Sequence, residues 1–86
     1  MMQDYEYLFA MNVHEKLKEK VNARVYCKIN QDDELYVEIE DSNSGIGYYY
    51  AIPDFSRKIM NGYTSEYAVY EIVKSYKNYI MKRFFK

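Results

Sequence analysis

The sequence predicts a single α+β domain in which helices pack against a three-stranded antiparallel sheet. Apolar residues recur at helical spacing near both ends of the chain and alternate at a period of two in its middle. Turn-forming residues separate the alternating stretches. At 86 residues the chain has room for one hydrophobic core, so we expect one domain over residues 1–86. The predicted order of elements is α-β-β-β-α-α.

The first predicted helix covers residues 4–22. Its apolar positions form a row at i, i+4 spacing, with one more residue beside it: Tyr5, Phe9, Val13, Leu17, Val21 and Leu8. Charged residues, among them Glu15 and Lys16, fall outside this row. The helix is therefore amphipathic, and we expect it to bury the apolar row against the sheet.

Three strands follow. Apolar residues alternate with polar or aromatic ones in residues 23–29 and again in 35–40, and the polar residues 30–34 between them predict a hairpin. Residues 41–45 have the composition of a second turn. Residues 46–52 are β-prone and predict a third strand, but tyrosine occurs on both of its faces, so the alternation does not show which face is buried.

Two helices close the chain. Pro53 ends the third strand, and Asp54 is placed to cap a short helix that ends at Met60. Gly62 tolerates the left-handed conformation that ends helices, and Thr64 can cap the last helix. The apolar stripe of that last helix is formed by Val69, Ile72, Val73, Tyr76, Ile80 and Phe84.

The sequence offers no convergent set of groups for catalysis, for a metal or for a cofactor. His14 is the only histidine and has no cysteine or second histidine at metal-binding spacing. Neither Ser42 nor Ser44 lies in a nucleophile-elbow pattern, and residues 32–34 lack the spacing of a calcium loop. We therefore expect a non-enzymatic protein with no cofactor and no small-molecule substrate.

Composition bears on the compartment and on the mode of action. One cysteine, Cys27, rules out a disulfide within the chain, and no apolar run is long enough to span a membrane. The start of the chain lacks the pattern of a signal peptide, so we expect a cytoplasmic protein. Twelve tyrosines provide large contact area with a polar tip, which suits either a core or a binding surface.

Charge is segregated along the chain although the net charge is only −1. Residues 29–56 carry seven acidic residues and no basic ones, whereas residues 57–86 carry seven bases and two acids. The acids gather on the first hairpin, at its tip and along its second strand. They are interpreted either as a solvated face that protects a small sheet, or as an anionic patch for a basic cleft.

Two segments resemble a known family. KINQD at residues 28–32, followed by Tyr36-Val37 and Glu40, resembles the first hairpin of a small phage-encoded type II-A anti-CRISPR protein. NGYTSEY at residues 61–67 resembles the junction between the second and third helices of that protein. The likeness extends best over residues 28–67, and the length and the order of elements agree with it.

The resemblance implies a function. The family inhibitor binds the RNA-guided nuclease of the type II CRISPR system, in the basic cleft that reads the protospacer-adjacent motif, and so mimics DNA. It implies that Asp32 faces the arginines that read the motif. It also implies that the protein acts in the cytoplasm of a bacterial host, and we expect no membrane to be involved. The expected partner-binding residues are Asn30, Gln31, Asp32, Asp33, Glu34, Tyr36, Glu38, Glu40, Tyr63, Glu66, Tyr67 and Tyr70.

The chain also departs from the family pattern. Where the family continues with a run of acids after the shared Glu-Tyr pair, this chain has Ala68, Val69 and Tyr70.

Two alternative functions therefore stay open. The α-β-β-β-α order and basic last helix invite comparison with double-stranded RNA-binding domains, although those carry lysines at the start of the final helix and here the bases lie at its end. The other alternative is a phage or mobile-element accessory protein that self-associates through exposed tyrosines.

Overall fold

The structure, a computed structural model that describes residues 4–84, confirms the predicted order of elements. These are α1 (Asp4–Lys20), β1 (Ala23–Ile29), β2 (Leu35–Asp41), β3 (Gly47–Ile52), α2 (Phe55–Met60) and α3 (Ser65–Phe84). The strands form one antiparallel sheet in the order β1-β2-β3, so β1 and β3 are its edges.

The sheet has one buried and one open face because side chains alternate along each strand. The buried face is formed by Val25, Leu35, Val37, Ile39, Tyr48 and Ile52. In β3 the register turns Tyr48 and Tyr50 towards the helices and leaves Tyr49 on the open face, where 60% of its surface is exposed. The register across strands thus settles the orientation that the tyrosine-rich sequence of β3 leaves undetermined.

Helices α1 and α3 cover the buried face. The residues they bury include Phe9, Val13 and Leu17 from α1, and Ala68, Val69, Ile72 and Tyr76 from α3. Phe55 of α2 is fully buried and meets the ring of Phe9 edge-on, with centroids 5.1 Å apart. Truncation of such a buried phenylalanine to alanine typically costs about 3–5 kcal/mol, so Phe55 is the main anchor of α2, and Ile59 packs against the core beside it.

Some predicted details of α1 are wrong. The helix ends at Lys20 and not at residue 22, because Asn22 already joins the sheet by accepting a hydrogen bond from the N–H of Ser42 at 3.4 Å. Leu8 is 59% exposed, because the buried row passes through Phe9 and reaches Glu6 one turn earlier. The side chain of Phe84 lies outside the described residues.

Over the described range 4–84, no helix combines the length and the apolar character needed to cross a membrane.

Candidate protein-binding surface

The tip of the first hairpin is a turn built by two of the predicted site residues. Asn30 Oδ1 accepts hydrogen bonds from the backbone N–H groups of Asp32 at 3.0 Å and Glu34 at 3.2 Å. Asn30 Nδ2 donates to Glu34 Oε1 at 2.8 Å, and the Asn30 N–H donates to the Glu34 carbonyl at 3.0 Å. The side chains of Asn30 and Glu34 therefore hold the turn in shape, as asparagine commonly does in tight turns.

Asp33 fastens this tip to the start of α2. Its carboxylate accepts the Ser56 N–H at 3.2 Å on both oxygens and the Ser56 Oγ–H at 2.7 Å. Its backbone carbonyl accepts the Phe55 N–H at 2.9 Å. Asp33 thus satisfies donors that a helix leaves unpaired at its N-terminus.

The cap predicted for Asp54 is wrong. Asp54 does occupy the position before α2, but its backbone is left-handed, with φ of 52°, and its side chain makes no capping hydrogen bond. A side-chain N-cap normally has an extended backbone, which aims its oxygen at the first turn of the helix. Asp33 provides the capping carboxylate across space in its place.

Asp32 is the outward-facing acid of the tip. Both Gln31 and Asp32 are exposed. Over residues 4–84, no hydrogen-bond donor or cation bonds to the Asp32 carboxylate, in contrast with Asp33 and Glu34. The sequence predicts that the three acids of the tip form one patch. Asp33 and Glu34 instead hold the turn through hydrogen bonds, and Asp32 is the acid that is exposed to a partner.

The open face of the sheet carries the remaining hairpin residues, Tyr36, Glu38 and Glu40. Tyr36 stacks on Tyr49 with ring centroids 6.0 Å apart, and Lys28 Nζ lies 5.8 Å from the Tyr36 ring centroid. Loss of solvation, and then the neighbouring charges of Glu38 and Tyr49, raise the pKa of Tyr36. This face is an aromatic surface with carboxylates along its central strand.

Four of the larger residues of the open face are missing from the predicted site. They are Arg24, Tyr26, Lys28 and Tyr49. Arg24 lies opposite Glu40, and Tyr26 opposite Glu38. If the strands are paired outward from the five-residue loop 30–34, these pairs fall opposite each other. The loop length in the sequence could therefore have predicted which residues share the open face.

The predicted residues near the start of α3 form a separate tyrosine cluster. Tyr63 stacks on Phe9 at 5.8 Å, Tyr67 meets Tyr63 edge-on at 5.8 Å, and Tyr70 lies 6.4 Å from Tyr67, all measured between ring centroids. Tyr63 Oη donates to Glu71 Oε1 at 3.0 Å. Burial, and then this carboxylate, raise the pKa of Tyr63.

Glu66 is paired within the chain. Lys16 Nζ of α1 donates to Glu66 Oε2 at 2.8 Å, and this hydrogen bond is the main reason that the pKa of Glu66 is lowered. Of the three residues that follow Tyr67, Ala68 and Val69 are buried, whereas Tyr70 is 61% exposed. Helix α3 therefore directs two of those three side chains into the core.

The structure does not bring all predicted site residues into one patch. Tyr36, Glu38 and Glu40 lie on the open face of the sheet, while α3 covers the opposite face. The tip lies at one end of the sheet and is hydrogen-bonded to α2 through Asp33. Along the chain, α2 is followed by Tyr63 and then by α3. Over residues 4–84, no three histidine, cysteine or carboxylate side chains gather to hold a metal ion.

Comparisons of the chain with protein-family models, with curated proteins and with solved structures give no significant match. The function must therefore be inferred from the surface of the chain itself.

Proposed function

We propose that this chain is a non-enzymatic inhibitor of a type II CRISPR RNA-guided nuclease, which places its hairpin tip in the basic cleft that reads target DNA. The observation that supports the proposal most directly is the exposed Asp32 carboxylate on a turn that Asn30, Asp33 and Glu34 hold in shape. The resemblance of residues 28–32 and 61–67 to the anti-CRISPR family gives the partner class.

A held tip suits this role because ordering a flexible loop on binding costs free energy. Each rotamer-rich side chain that must be immobilised costs roughly 0.5–1.5 kcal/mol. Here two tip acids already have hydrogen-bond partners, so Asp32 can meet an arginine with its turn in place. A hydrogen bond to a charged group contributes about 1.5–3 kcal/mol, and arginine pairs with a carboxylate through two parallel hydrogen bonds.

The open face is less suited than the tip to imitate DNA. Glu38 and Glu40 of β2 are acidic, but Arg24 and Lys28 of β1 share the same face. A basic cleft would meet both signs of charge there, whereas the turn 30–34 contains no basic residue and displays the Asp32 carboxylate. We therefore propose that the tip enters the cleft and that the tyrosines of the open face provide adjoining contact area.

The test is inhibition of DNA cleavage by a purified guide-loaded nuclease. Asp32→Arg reverses the displayed charge, and we expect it to weaken inhibition at least tenfold while the unfolding midpoint in urea stays unchanged. The matched control is Glu19→Arg, which makes the same charge change at an exposed position of α1 and should inhibit as the wild type does.

Equal inhibition by Asp32→Arg and wild type would show that the tip does not enter the cleft. Loss of binding to the nuclease after it has been loaded with target DNA, but not before, is a second expected result, because inhibitor and DNA would compete for one cleft. Direct binding of the chain to duplex DNA or RNA at low salt would instead favour a nucleic-acid-binding module.

A further inference from the structure

Strand β1 is an edge of the sheet, and the ladder shows which of its backbone groups face outward. Asn30 bonds to Glu34 and Asn22 to Ser42 across the β1–β2 pair. Bonded and non-bonded pairs alternate in an antiparallel ladder, so the even-numbered residues of β1 bond to β2. The outward N–H and C=O groups accordingly belong to Ala23, Val25, Cys27 and Ile29.

A mainly apolar groove of about 540 Å³ runs beside this edge, between β1 and α1. Its helix wall includes Tyr7, Ala10 and Met11, and Cys27 and Ile29 form part of its strand wall. Tyr7 is 53% and Met11 60% exposed, although α1 buries its other side. Large apolar side chains beside open backbone groups are the features with which sheet edges receive an extended peptide.

His14 partly guards the edge. Its Nε2 lies 2.9 Å from the outward carbonyl of Val25, and since a carbonyl only accepts, Nε2 carries the proton. The carbonyl has a second lone pair, so an incoming N–H can bond beside the imidazole. Among residues 4–84, Glu15 is the one acid that lines the groove, and its carboxylate lies 3.7 Å from His14 Nδ1.

The charges on the open face of β1 indicate what kind of strand fits. Arg24, Tyr26 and Lys28 form a row, and all three are exposed. The neighbouring strand β2 places Glu40, Glu38 and Tyr36 opposite this row. Within the sheet, the row is therefore already paired with acidic and aromatic residues. The other side of the row faces solvent. Opposite charges directly across a sheet stabilise pairing and like charges oppose it.

We propose that the free edge of β1 is a docking site for an extended acidic segment of a partner protein, which adds to the sheet as a fourth strand. Alternate acidic residues of that segment face Arg24 and Lys28, and the apolar residues between them enter the groove against Ala10 and Met11. Pairing with β1 of a second copy fits less well, because it would bring two such basic rows side by side. The site is independent of the hairpin tip and does not rest on the inhibitor function.

The test is amide hydrogen exchange by NMR with a synthetic peptide, Glu-Val-Glu-Val-Glu-Val, as the probe. In the free protein the amides of Val25, Cys27 and Ile29 should exchange faster than those of Tyr26 and Lys28. Saturating peptide should slow the exchange of the first three at least tenfold. The matched peptide Lys-Val-Lys-Val-Lys-Val should leave them unchanged, because its lysines meet bases.

The double variant Arg24→Glu, Lys28→Glu separates charge recognition from nonspecific pairing. We expect it to bind the glutamate peptide at least tenfold more weakly and to bind the lysine peptide instead, with its fold checked by circular dichroism. Unchanged affinity for the glutamate peptide, or no protection of the outward amides, would overturn the proposal. Protection that grows with protein concentration in the absence of peptide would also overturn it, since the edge would then be an interface between copies.

Discussion

Asp33 combines an unusual backbone conformation with a structural side chain. Its φ of 58° lies in the left-handed region, which aspartate tolerates better than most residues other than glycine. From this position its carboxylate reaches the first turn of α2, and its carbonyl accepts the Phe55 N–H. A single residue therefore joins the hairpin to the helix that delivers Phe55 to the core.

Replacement of Asp33 should destabilise the fold, whereas replacement of its exposed neighbour should not. We expect Asp33→Ala to lower the free energy of unfolding by about 1–3 kcal/mol, through loss of the cap and of a residue suited to positive φ. Asp32→Ala should change it by no more than about 0.5 kcal/mol, as is usual for exposed positions. Urea denaturation followed by circular dichroism measures both variants, and equal stability of Asp33→Ala and wild type would contradict the assigned role.

At the scale of elements, the orientation of α3 decides which of its positions can carry an acid. The helix must bury Ala68, Val69 and Ile72 against the sheet and α1, and all three are at most 1% exposed. Tyr70 lies on the other side of the helix and is 61% exposed. An acid at a buried position would lose its hydration without gaining a partner.

This orientation of α3 gives a paired prediction. Val69→Asp should destabilise the protein by about 3 kcal/mol or more and leave little folded chain, because it places a carboxylate in the core. Tyr70→Asp should stay within about 1 kcal/mol of the wild type, as exposed substitutions do. Thermal unfolding distinguishes the two variants, and similar melting temperatures would mean that α3 faces the sheet with a different side.

Periodicity located α1, β1, β2 and α3, because residues such as Val25, Leu35 and Ile72 lie in patterns with a clear period. Composition and the flanking Pro53 and Gly62 located β3 and α2. Periodicity failed where the pattern is uniform, as in the consecutive tyrosines of β3, whose orientation only the pairing with β2 decides. The role of Asp33 could not be predicted either. Its partner Ser56 lies 23 residues further along the chain, and their approach follows from the packing of α2.

Across the whole molecule, tyrosines adjoin a mainly aliphatic core: Tyr48 and Tyr76 are buried in it, and Tyr50, Tyr63 and Tyr79 pack against it. Tyr48 lies within 5.8 Å of Tyr76 and 5.2 Å of Tyr79, measured between ring centroids, and its hydroxyl hydrogen-bonds with Ser75. Burial, and then the charge of Asp41, raise the pKa of Tyr76 to about 12. The core thus contains a side chain, Tyr76, that ionises less readily in the folded chain than in the unfolded chain.

Stability should therefore fall at high pH. A tyrosine whose pKa is about 12 in the folded chain, against about 10 when unfolded, contributes stability that is complete below pH 10 and is lost as the pH rises through 12. We expect the urea midpoint to decrease over this interval. The Tyr76→Phe variant is the control: it should show a smaller decrease than the wild type, and an identical decrease would mean that Tyr76 is not responsible.

The ion pair between Lys16 and Glu66 joins parts of the chain that lie 50 residues apart. Both hairpins are local, and isolated hairpins form within about 1–10 μs, whereas docking of α3 on α1 must close a loop that contains the entire sheet. We expect docking of the two long helices to come late in folding, because it must wait for that loop to close. During synthesis the apolar face of the sheet would then stay uncovered until α3 has left the ribosome, so the arrival of α3 determines when this face is protected from aggregation.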